Sequence, residues 1–370
     1  HRRSRDPTEI CAAMSSYHNL ISPTGNTQLE LALREKLLRR SQTTGELGEL
    51  EPLAVRLGLI QRTLKPRFQA PQIVVFAADH GIAVDGVGSE DRNSTSVLVQ
   101  ALLTSRLPLS VFARIQGLEL SVVDAGVAEP VSPHPRLLAR KIAHGTRNSR
   151  VTSAMSLEQA HAGIRAGMEI GNSLPGNAVV CAGIGVGSAQ ASALVLSRLA
   201  NVGVREFAVS GPSMKPKDLA NMLAVLQGSQ SRHKEVSDPV EVLAAFGGFE
   251  MAMMVGLMMV AAGKRHLIVV DGLAACAALV VGSHIAPTVV DYCVFSRSHA
   301  HLGLDRALAL FQARALLELG MDSTDGTGAT LAWSLIRGAA ALLTEVGEGE
   351  EAGPTLPGDM PEVSRPRPNY

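Results

Sequence analysis

The stretch PQIVVFAADHG, residues 71–81, decides the fold. Its apolar, β-branched run ends in two polar residues and a glycine, a pattern typical of a buried parallel strand that leads into a site loop. The pattern returns at LELSVVDAGV (118–127), NAVVCAGIGVG (177–187), REFAVSGPS (205–213) and KRHLIVVDGLA (264–274), and in weaker form at PTVVDYCVFSRSH (287–299). The sequence therefore predicts five buried strands and a weaker sixth.

Helix-forming patterns separate these runs. They cover residues 94–115, 156–173, 189–199, 218–226, 238–262, 275–283 and 305–319, and two amphipathic helices precede the first strand at 27–41 and 47–63. Regular alternation of strands and helices favours a parallel sheet covered on both faces. The predicted fold class is therefore α/β, with a Rossmann-like parallel sheet flanked by helices.

The charge balance argues against a nucleic-acid partner or an anionic membrane surface, because 34 basic residues cancel 34 acidic ones. The four cysteines, Cys11, Cys181, Cys276 and Cys293, are widely spaced and form no C-x-x-C pair. Buried free thiols are expected, which favours the cytoplasm or another reducing intracellular compartment. The chain begins at His1, so a removed targeting peptide is left open.

One apolar segment, AAFGGFEMAMMVGLMMVAAG at 244–263, has about the length that spans a bilayer. Glu250 interrupts it, and Lys264, Arg265 and His266 lead directly into another apolar run. We therefore expect a buried or half-buried helix ahead of a strand, and no membrane partner. The polar start, residues 1–25, is expected to be poorly ordered, and the acidic, then proline-rich tail, residues 347–370, to be disordered.

The parallel-sheet prediction also locates a site, because ligands of such sheets bind beyond the carboxyl ends of the strands. The candidate residues are those that directly follow each apolar run. They are Asp79, His80, Gly81, Asp124, Gly126, residues 183–188, Ser210, Gly211, Asp271, Gly272 and residues 296–303.

The segment GIGVGSAQASAL, at 183–194, places three glycines between a strand and a helix. Unobstructed backbone amides at a helix N-terminus make a phosphate site. Tight packing of a strand against a helix also requires glycine, so both interpretations stay open. The spacing is not the G-x-G-x-x-G dinucleotide fingerprint, which leaves a nicotinamide-dependent oxidoreductase as a distant alternative.

The tetrapeptide ADHG, at 78–81, offers a carboxylate, an imidazole and a flexible turn, for acid–base catalysis or for hydrogen bonding to a substrate. His80 has no H-x-x-x-H partner and the cysteines do not cluster, so the sequence favours a site without metal. His299 and His301 would reach the same side of the sheet, which keeps a metal as a minor alternative. Asp271 bonds either ribose hydroxyls or the amides of its own loop.

In MDSTDGTGATLAW, at 321–333, Asp325 precedes Gly-Thr-Gly between two helix-like runs. An acid beside glycine at a helix start is an ordinary N-cap signal. The alternative is a proton acceptor at the mouth of the site. The residues alone favour the cap and leave catalysis open.

Together these motifs resemble the nicotinate-nucleotide:dimethylbenzimidazole phosphoribosyltransferase family. The resemblance follows the family's order over about residues 40–345. It is carried by GELGELEPLAVRLGLIQ, VVFAADHGIAVDGV, LELSVVDAGV, RKIAHGTRNSRVTSAMS, AGIGVGSAQASAL, DPVEVLAAFGGFEMAMMVG, VVDGLAACAAL and DSTDGTGATLA.

The resemblance implies transfer of phosphoribose from nicotinate mononucleotide to a benzimidazole-type base, with release of nicotinate and with no cofactor or metal. This reaction makes α-ribazole phosphate for the lower ligand of cobalamin. The resemblance also implies a homodimer. Each chain would have a small helical domain from both chain ends, residues 26–66 plus 328–346, and a large α/β domain, residues 67–327.

The glycine-rich loop departs from the family pattern GEMGIGNTT. Its two phosphate-facing glycines remain as Gly185 and Gly187, whereas the family's acid falls on Gly183 and its asparagine on Ser188. The lysine of the family's GLARK falls on Met222. A cation that helps to hold the nucleotide in the family is therefore replaced.

At the catalytic position the family's glutamate falls on Asp325, which is one methylene shorter and precedes the matching Gly326. Arg92 stands where a glutamine normally lines the base pocket, and Ser298 lies in RSHAHLG, the counterpart of the family's HRSAEPG. The family pattern persists at Asp79, His80, Gly81, Lys141, Gly145, Thr146, Asn148, Gly247, Gly248, Glu250, Asp271, Gly272 and residues 326–328.

Two hypotheses follow from this pattern. In the first, the chain is a phosphoribosyltransferase in which Asp325 accepts the proton of the base. Its substrate contacts would come from Asp79, His80, Gly81, Arg92, Gly185, Gly187, Ser188, Asp271, Gly272, Ser298 and Gly326. In the second, motivated by Gly183 and Met222, the chain is a catalytically impaired homologue that binds a nucleotide or base as a regulatory protein.

Overall fold

A computed structural model describes residues 20–40, 45–87, 94–209, 214–297, 302–323 and 325–347. The segments predicted to be poorly ordered therefore lie almost entirely outside the described residues, as do Arg92, Ser210, Gly211, Ser298, His299 and His301.

The described residues form one seven-stranded sheet in which every pairing is parallel, in the order β3-β2-β1-β4-β5-β6-β7. This confirms the α/β prediction. The strands are β1 (Gln72–Ala78), β2 (Glu119–Gly126), β3 (Leu137–Ala139), β4 (Ala178–Ile184), β5 (Leu267–Val270), β6 (Cys293–Arg297) and β7 (Ala315–Leu317).

Helices cover both faces of this sheet. In chain order they are α1 (Thr27–Arg39), α2 (Leu50–Gln61), α3 (Thr95–Leu103), α4 (Pro108–Gln116), α5 (Leu157–Ser173), α6 (Ser188–Ala200), α7 (Arg205–Ala208), α8 (Pro216–Arg232), α9 (Pro239–Phe246), α10 (Phe249–Gly263), α11 (Gly272–Ile285), α12 (Leu302–Leu310) and α13 (Thr327–Thr344). Short 3₁₀ helices occupy Gly81–Asp85 and Pro287–Tyr292.

The two faces of the sheet are distinguished by neighbouring residues of β4. A side chain at Gly183 would meet Met254 of α10 and Ala274 of α11, whereas Ala182 lies beside Gly326 at the start of α13. Helices α10 and α11 therefore cover one face, and α13 lies on the other together with α4. Every residue of β1 is buried, as expected for a central parallel strand.

Glycine allows the backbones of α5 and α10 to come into direct contact. A Cβ added at Gly167 would overlap the carbonyl oxygen of Met253, and one at Gly256 would overlap that of Ile164. Such backbone contact leaves no room for larger residues, so α10 is held firmly beneath the sheet. Its N-terminus, which carries Glu250, is thereby fixed at the carboxyl edge.

Several predicted elements are wrong in detail. Residues 205–208 of the predicted fourth strand form the short helix α7, which packs against α6 and α12 and has Phe207 and Ala208 buried. The predicted helix at 305–319 ends at Leu310 and is followed by β7. The predicted helix at 94–115 is divided into α3 and α4.

The apolar segment at 244–263 is confirmed as buried helix ahead of a strand, although Gly247 and Gly248 divide it into α9 and α10. By length and composition alone, Thr95–Gln116 would be able to cross a membrane. Residues 104–107 interrupt this stretch, and α3 and α4 have nine residues each. Each is about 13 Å long, less than half of a bilayer's apolar core.

The N-terminal segment is anchored beside β6 by a polar cluster. Arg265 donates from Nη2 to the carbonyl of Leu59 (2.8 Å) and from Nε to that of Ile60 (2.9 Å), which satisfies the end of α2. Its Nη1 reaches the hydroxyl of Tyr292 at 2.9 Å, which in turn donates to the carbonyl of Ser22 at 2.6 Å. Helix α2 also packs on α13. The division into two domains stays a prediction.

Three cysteines, Cys181, Cys276 and Cys293, are buried free thiols. Burial raises the pKa of Cys293 to about 12 and raises that of Cys181 well above its usual range. Because the thiolate is the reactive form, we expect none of the three to react with a disulfide reagent at pH 8 until urea unfolds the protein. A Cys11→Ser variant removes the signal of the fourth thiol. Labelling of any of the three in the native protein, located by mass spectrometry, would contradict this.

Candidate active site

The strand order reverses between β1 and β4, which opens a crevice at their carboxyl ends. The loop after β1 carries Asp79, His80 and Gly81, and the loop after β4 carries residues 185–188. The two loops touch, because the backbone N–H of His80 donates to the carbonyl of Val186 at 3.0 Å. Two of the predicted site segments therefore meet at the point where such sheets bind ligands.

Both glycines of the predicted phosphate loop have backbone reasons to be glycine. Gly185 (φ 154°) and Gly187 (φ 83°) adopt conformations that other residues rarely take. A Cβ at Gly185 would overlap the carbonyl oxygen of Ala78, and one at Gly187 would lie 2.9 Å from the Cβ of His80. Gly185 and Gly187 are therefore required by contact with the end of β1 and the loop after it, whereas the predicted packing of a strand against a helix is made by Gly183.

The anion-binding interpretation is also compatible with this loop. Gly187 caps α6, and within the described residues the backbone amides of Ala189 and Gln190 donate no hydrogen bond. Free amides at a helix N-terminus are a ready site for phosphate. The amide of Val186, by contrast, is occupied, since it donates to Thr95 Oγ1 at 3.1 Å.

Asp79 joins three segments rather than pointing a free carboxylate into the crevice. Its Oδ1 accepts a short hydrogen bond from the hydroxyl of Thr95 at the start of α3, and its Oδ2 accepts from the amide of Ala128, after β2, at 2.7 Å. Its carbonyl accepts from the amide of Thr146 at 3.0 Å. Asp79 therefore holds the walls of the crevice together.

Gly81 is covered by the segment at 145–148. Its amide donates to Thr146 Oγ1 at 3.2 Å, and a Cβ at Gly81 would lie 2.5 Å from the backbone carbon of Arg147. Below it, Asn148 Nδ2 donates to Asp85 Oδ2 at 2.8 Å. The HGTRNS motif and the loop after β1 therefore form one wall of the site.

His80 is buried and pairs with a residue that the sequence did not place in the site. Its Nε2 lies 2.7 Å from Oε1 of Glu250, which also accepts a hydrogen bond from Ser188 Oγ at 2.9 Å. The His80 and Glu250 side chains are 1% and 0% exposed. A lone acid in the first turn of the otherwise apolar helix α10 was the sequence signal for this role.

Asp271, at the end of β5, is bonded to the start of α13. Its Oδ2 accepts a hydrogen bond from the amide of Ala329 at 2.9 Å, and its side chain is buried. Gly272 follows with φ 86° and begins α11. Asp271 thus bonds backbone amide, as one of the two predictions for it required, but the amide belongs to α13 rather than to its own loop.

Asp325 lies at the same helix N-terminus. Its Oδ1 accepts hydrogen bonds from the amide (3.0 Å) and the hydroxyl (2.6 Å) of Thr327, the first residue of α13. The N-cap itself is Gly326, so Asp325 caps the first helical amide from the position before the predicted one. Gly326 lies against the sheet, since a Cβ there would be 3.0 Å from Ile73 Cδ1. Asp325 is half-buried, and its Oδ2 accepts no hydrogen bond from any described residue. That oxygen is therefore not committed to a hydrogen bond within the described part of the chain.

Two departures from the family pattern lie at buried positions. A Cβ at Gly183 would lie 2.8 Å from Met254 Cε and 2.9 Å from Ala274 Cβ, so the family's acid has no space here. Met222 is buried on α8, with its sulfur 3.8 Å from Gln190 Nε2.

In the described part of the chain, no group of three or more His, Cys, Asp or Glu side chains is arranged to hold a metal ion. The expectation of a metal-free site stays a prediction.

A cavity of about 630 Å³ lies at the opposite, amino end of the strands. Its lining includes Phe68, Gln116, Trp333 and Arg337. Since ligands of parallel sheets bind at the carboxyl ends, this cavity is separate from the candidate site.

The chain is an α/β protein with a glycine-rich loop at the switch point of a parallel sheet, and the phosphoribosyltransferase family model matches residues 23–353. The chain belongs to the nicotinate-nucleotide–dimethylbenzimidazole phosphoribosyltransferase family. The relative so named from Cupriavidus taiwanensis is 39% identical over 334 residues, which cover 90% of this chain and 96% of the relative.

Another relative of the same name, from Dechloromonas aromatica, is 36% identical and covers 92% of this chain and 99% of its own length. The crystal structure of CobT from Thermus thermophilus is similar, with a TM-score of 0.80 at 27% identity. The match covers 85% of this chain and 96% of that one. The fold and the family inferred from the sequence are thereby confirmed.

Proposed function

We propose that this protein transfers phosphoribose from nicotinate mononucleotide to a benzimidazole-type base and releases nicotinate, the step that makes α-ribazole phosphate for the lower ligand of cobalamin. The observation that carries the proposal is that β4 bears both features: the glycine-rich loop follows β4 at the β1–β4 crevice, and the start of α13 packs on Ala182 of the same strand. Relatives that match 90% and 92% of this chain carry the name of that activity. The substrates are two small molecules, and no cofactor is required.

In the proposed reaction the phosphate of nicotinate mononucleotide occupies the amides at the start of α6, beside Gly185 and Gly187. The lone pair of one base nitrogen forms a bond to C1′ of the ribose as the bond from C1′ to the pyridinium nitrogen breaks. Nicotinate leaves with that electron pair as a neutral pyridine ring. The positive charge passes to the new base, and Oδ2 of Asp325 accepts the proton from its second nitrogen.

The ribose develops oxocarbenium character in this reaction, so fixed dipoles and carboxylates near C1′ contribute most of the rate. Asp79 and Asp271 support the proposal indirectly. Both carboxylates are hydrogen-bonded to backbone of neighbouring segments, so they fix the crevice before the substrate enters. Such preorganisation lowers the cost of binding both reactants in line.

Incubating the protein with nicotinate mononucleotide and 5,6-dimethylbenzimidazole, and following nicotinate by chromatography, tests the proposal. Multiple turnovers that require both substrates are expected. Binding of the nucleotide in a calorimeter without any release of nicotinate would reject the enzyme and leave the binding homologue, which no relative's name supports.

The proposal extends to a homodimer in the cytoplasm or another reducing intracellular compartment. The dimer is supported by the family resemblance, and the compartment by the three buried free thiols. Light scattering should return the mass of two 38.9 kDa chains. A monomer at micromolar concentration would contradict the dimer without affecting the proposed reaction.

A further inference from the structure

We infer that Glu250 is a positioning residue for the phosphate loop, an inference that rests on the proposed function. Its carboxylate contacts one residue from each loop of the crevice, His80 after β1 and Ser188 after β4. Glu250 is completely buried, so it cannot reach a substrate that enters from solvent. Whatever it contributes to the reaction is transmitted through those two neighbours.

Ser188 transmits the position of Glu250 to the start of α6. It is the first residue of that helix and directly follows Gly187. Its hydroxyl donates to Glu250 Oε1 at 2.9 Å, so the hydroxyl hydrogen is committed to the carboxylate rather than to a phosphate. The carbonyl of Ser188 in turn accepts from Ser192 Oγ at 2.6 Å. Glu250 therefore fixes, through Ser188, the direction in which the first backbone amides of α6 point.

His80 transmits the same position to the glycines. Its imidazole is held by Glu250, its backbone amide is bonded to Val186, and its Cβ lies against Gly187. The backbone and Cβ of His80 therefore contact Val186 and Gly187, while Glu250 fixes the side chain of the same residue. One carboxylate thus fixes the phosphate loop from both sides.

The side chains of Glu250 and His80 are tightly packed. A Cβ at Gly248 would overlap both Glu250 Oε2 and His80 Cε1, so the carboxylate and the imidazole fill the space beside α10. Glu250 Oε2 and His80 Nδ1 are buried and have no hydrogen-bond partner among the described residues. A buried pair with unsatisfied atoms stabilises a fold poorly compared with apolar packing. Its presence under the crevice therefore favours a positioning role over a purely structural one.

Three variants test this inference. Ser188→Ala removes the single bond to Glu250, and Glu250→Ala removes both contacts. Each is expected to raise the KM for nicotinate mononucleotide about tenfold or more, whereas the KM for the base changes less than about threefold. Glu250→Gln keeps an oxygen that accepts from Ser188 and His80, so it should recover most of the affinity. Ser283→Ala, which removes a helix hydroxyl at the opposite end of α11, is the matched control.

A purely structural role predicts a different result, a lower urea midpoint with an unchanged KM for the folded fraction. The inference is overturned if Ser188→Ala keeps a KM for the nucleotide within twofold of the native value. If Glu250→Ala does not fold, the KM values of Ser188→Ala and Glu250→Gln for nicotinate mononucleotide are sufficient to test the inference.

Calorimetry with nicotinate mononucleotide separates this inference from the proposed function. If the native protein binds the nucleotide but releases no nicotinate, the proposed function fails. The ratio of dissociation constants between Ser188→Ala and the native protein then still tests Glu250, with the same tenfold expectation. Native protein that neither turns over nor binds the nucleotide would overturn both.

Discussion

Replacing Asp325 with asparagine is expected to lower the rate of nicotinate release by a factor of about 10² to 10⁴, the usual contribution of a positioned general base. The change is selective because asparagine keeps the side-chain oxygen that accepts from the amide and hydroxyl of Thr327. The cap of α13 therefore survives, while the carboxylate that would accept the proton is lost. The urea midpoint should stay close to the native value, since the cap alone is worth about 1 kcal/mol.

Two further variants complete this experiment. Asp325→Glu restores the length of the family's acid, and we expect it to sustain turnover because a carboxylate again faces the crevice. Asp322→Asn removes an equal charge from an exposed residue of the same loop and should leave the rate of nicotinate release unchanged. If Asp325→Asn releases nicotinate as fast as the native protein, the proton acceptor is another group and Asp325 is only a cap.

The central part of the fold could be predicted from the sequence because its signals are local. The runs that form β1, β2, β4 and β5 are apolar, β-branched and followed by polar residues or glycine, as buried parallel strands require. The run at 205–213 has the same appearance, yet residues 205–208 form α7. A short apolar run is compatible with either structure, and only the packing of this segment against α6 and α12 distinguishes them.

The location of the site could be predicted from the sequence, but the hydrogen bonds between its residues could not. The positions of Asp79, His80 and Asp271 at the carboxyl edge follow from where their strands end. The pairing of His80 with Glu250 joins residues 170 positions apart, and no local pattern specifies it. The sequence showed Glu250 as a lone acid in an apolar helix and as part of the family pattern, but it did not place Glu250 in the site. Nor did it reveal that Asp79 and Asp271 bond the backbone of neighbouring segments.

Gly185→Ala is expected to destabilise the protein by about 3 kcal/mol or more, which is a large part of the stability of an ordinary domain. Two effects add. The backbone at φ 154° is one that alanine rarely adopts, and the new methyl group would overlap the carbonyl oxygen of Ala78 at the end of β1. The Ala78 oxygen belongs to the backbone and the new methyl group cannot rotate away from it. The overlap can therefore be removed only if the loops after β1 and β4 separate.

That separation is also what should abolish nucleotide binding, because the same glycine forms the proposed phosphate loop. Urea unfolding followed by circular dichroism measures the stability, and calorimetry with nicotinate mononucleotide measures the binding. Gly203→Ala is the matched control, since a Cβ there would meet no atom within 4 Å. If both variants unfold at the native urea midpoint, the loops after β1 and β4 can separate at little cost, and the expected destabilisation by Gly185→Ala is wrong. A folded Gly185→Ala that still binds the nucleotide would move the phosphate site away from this loop.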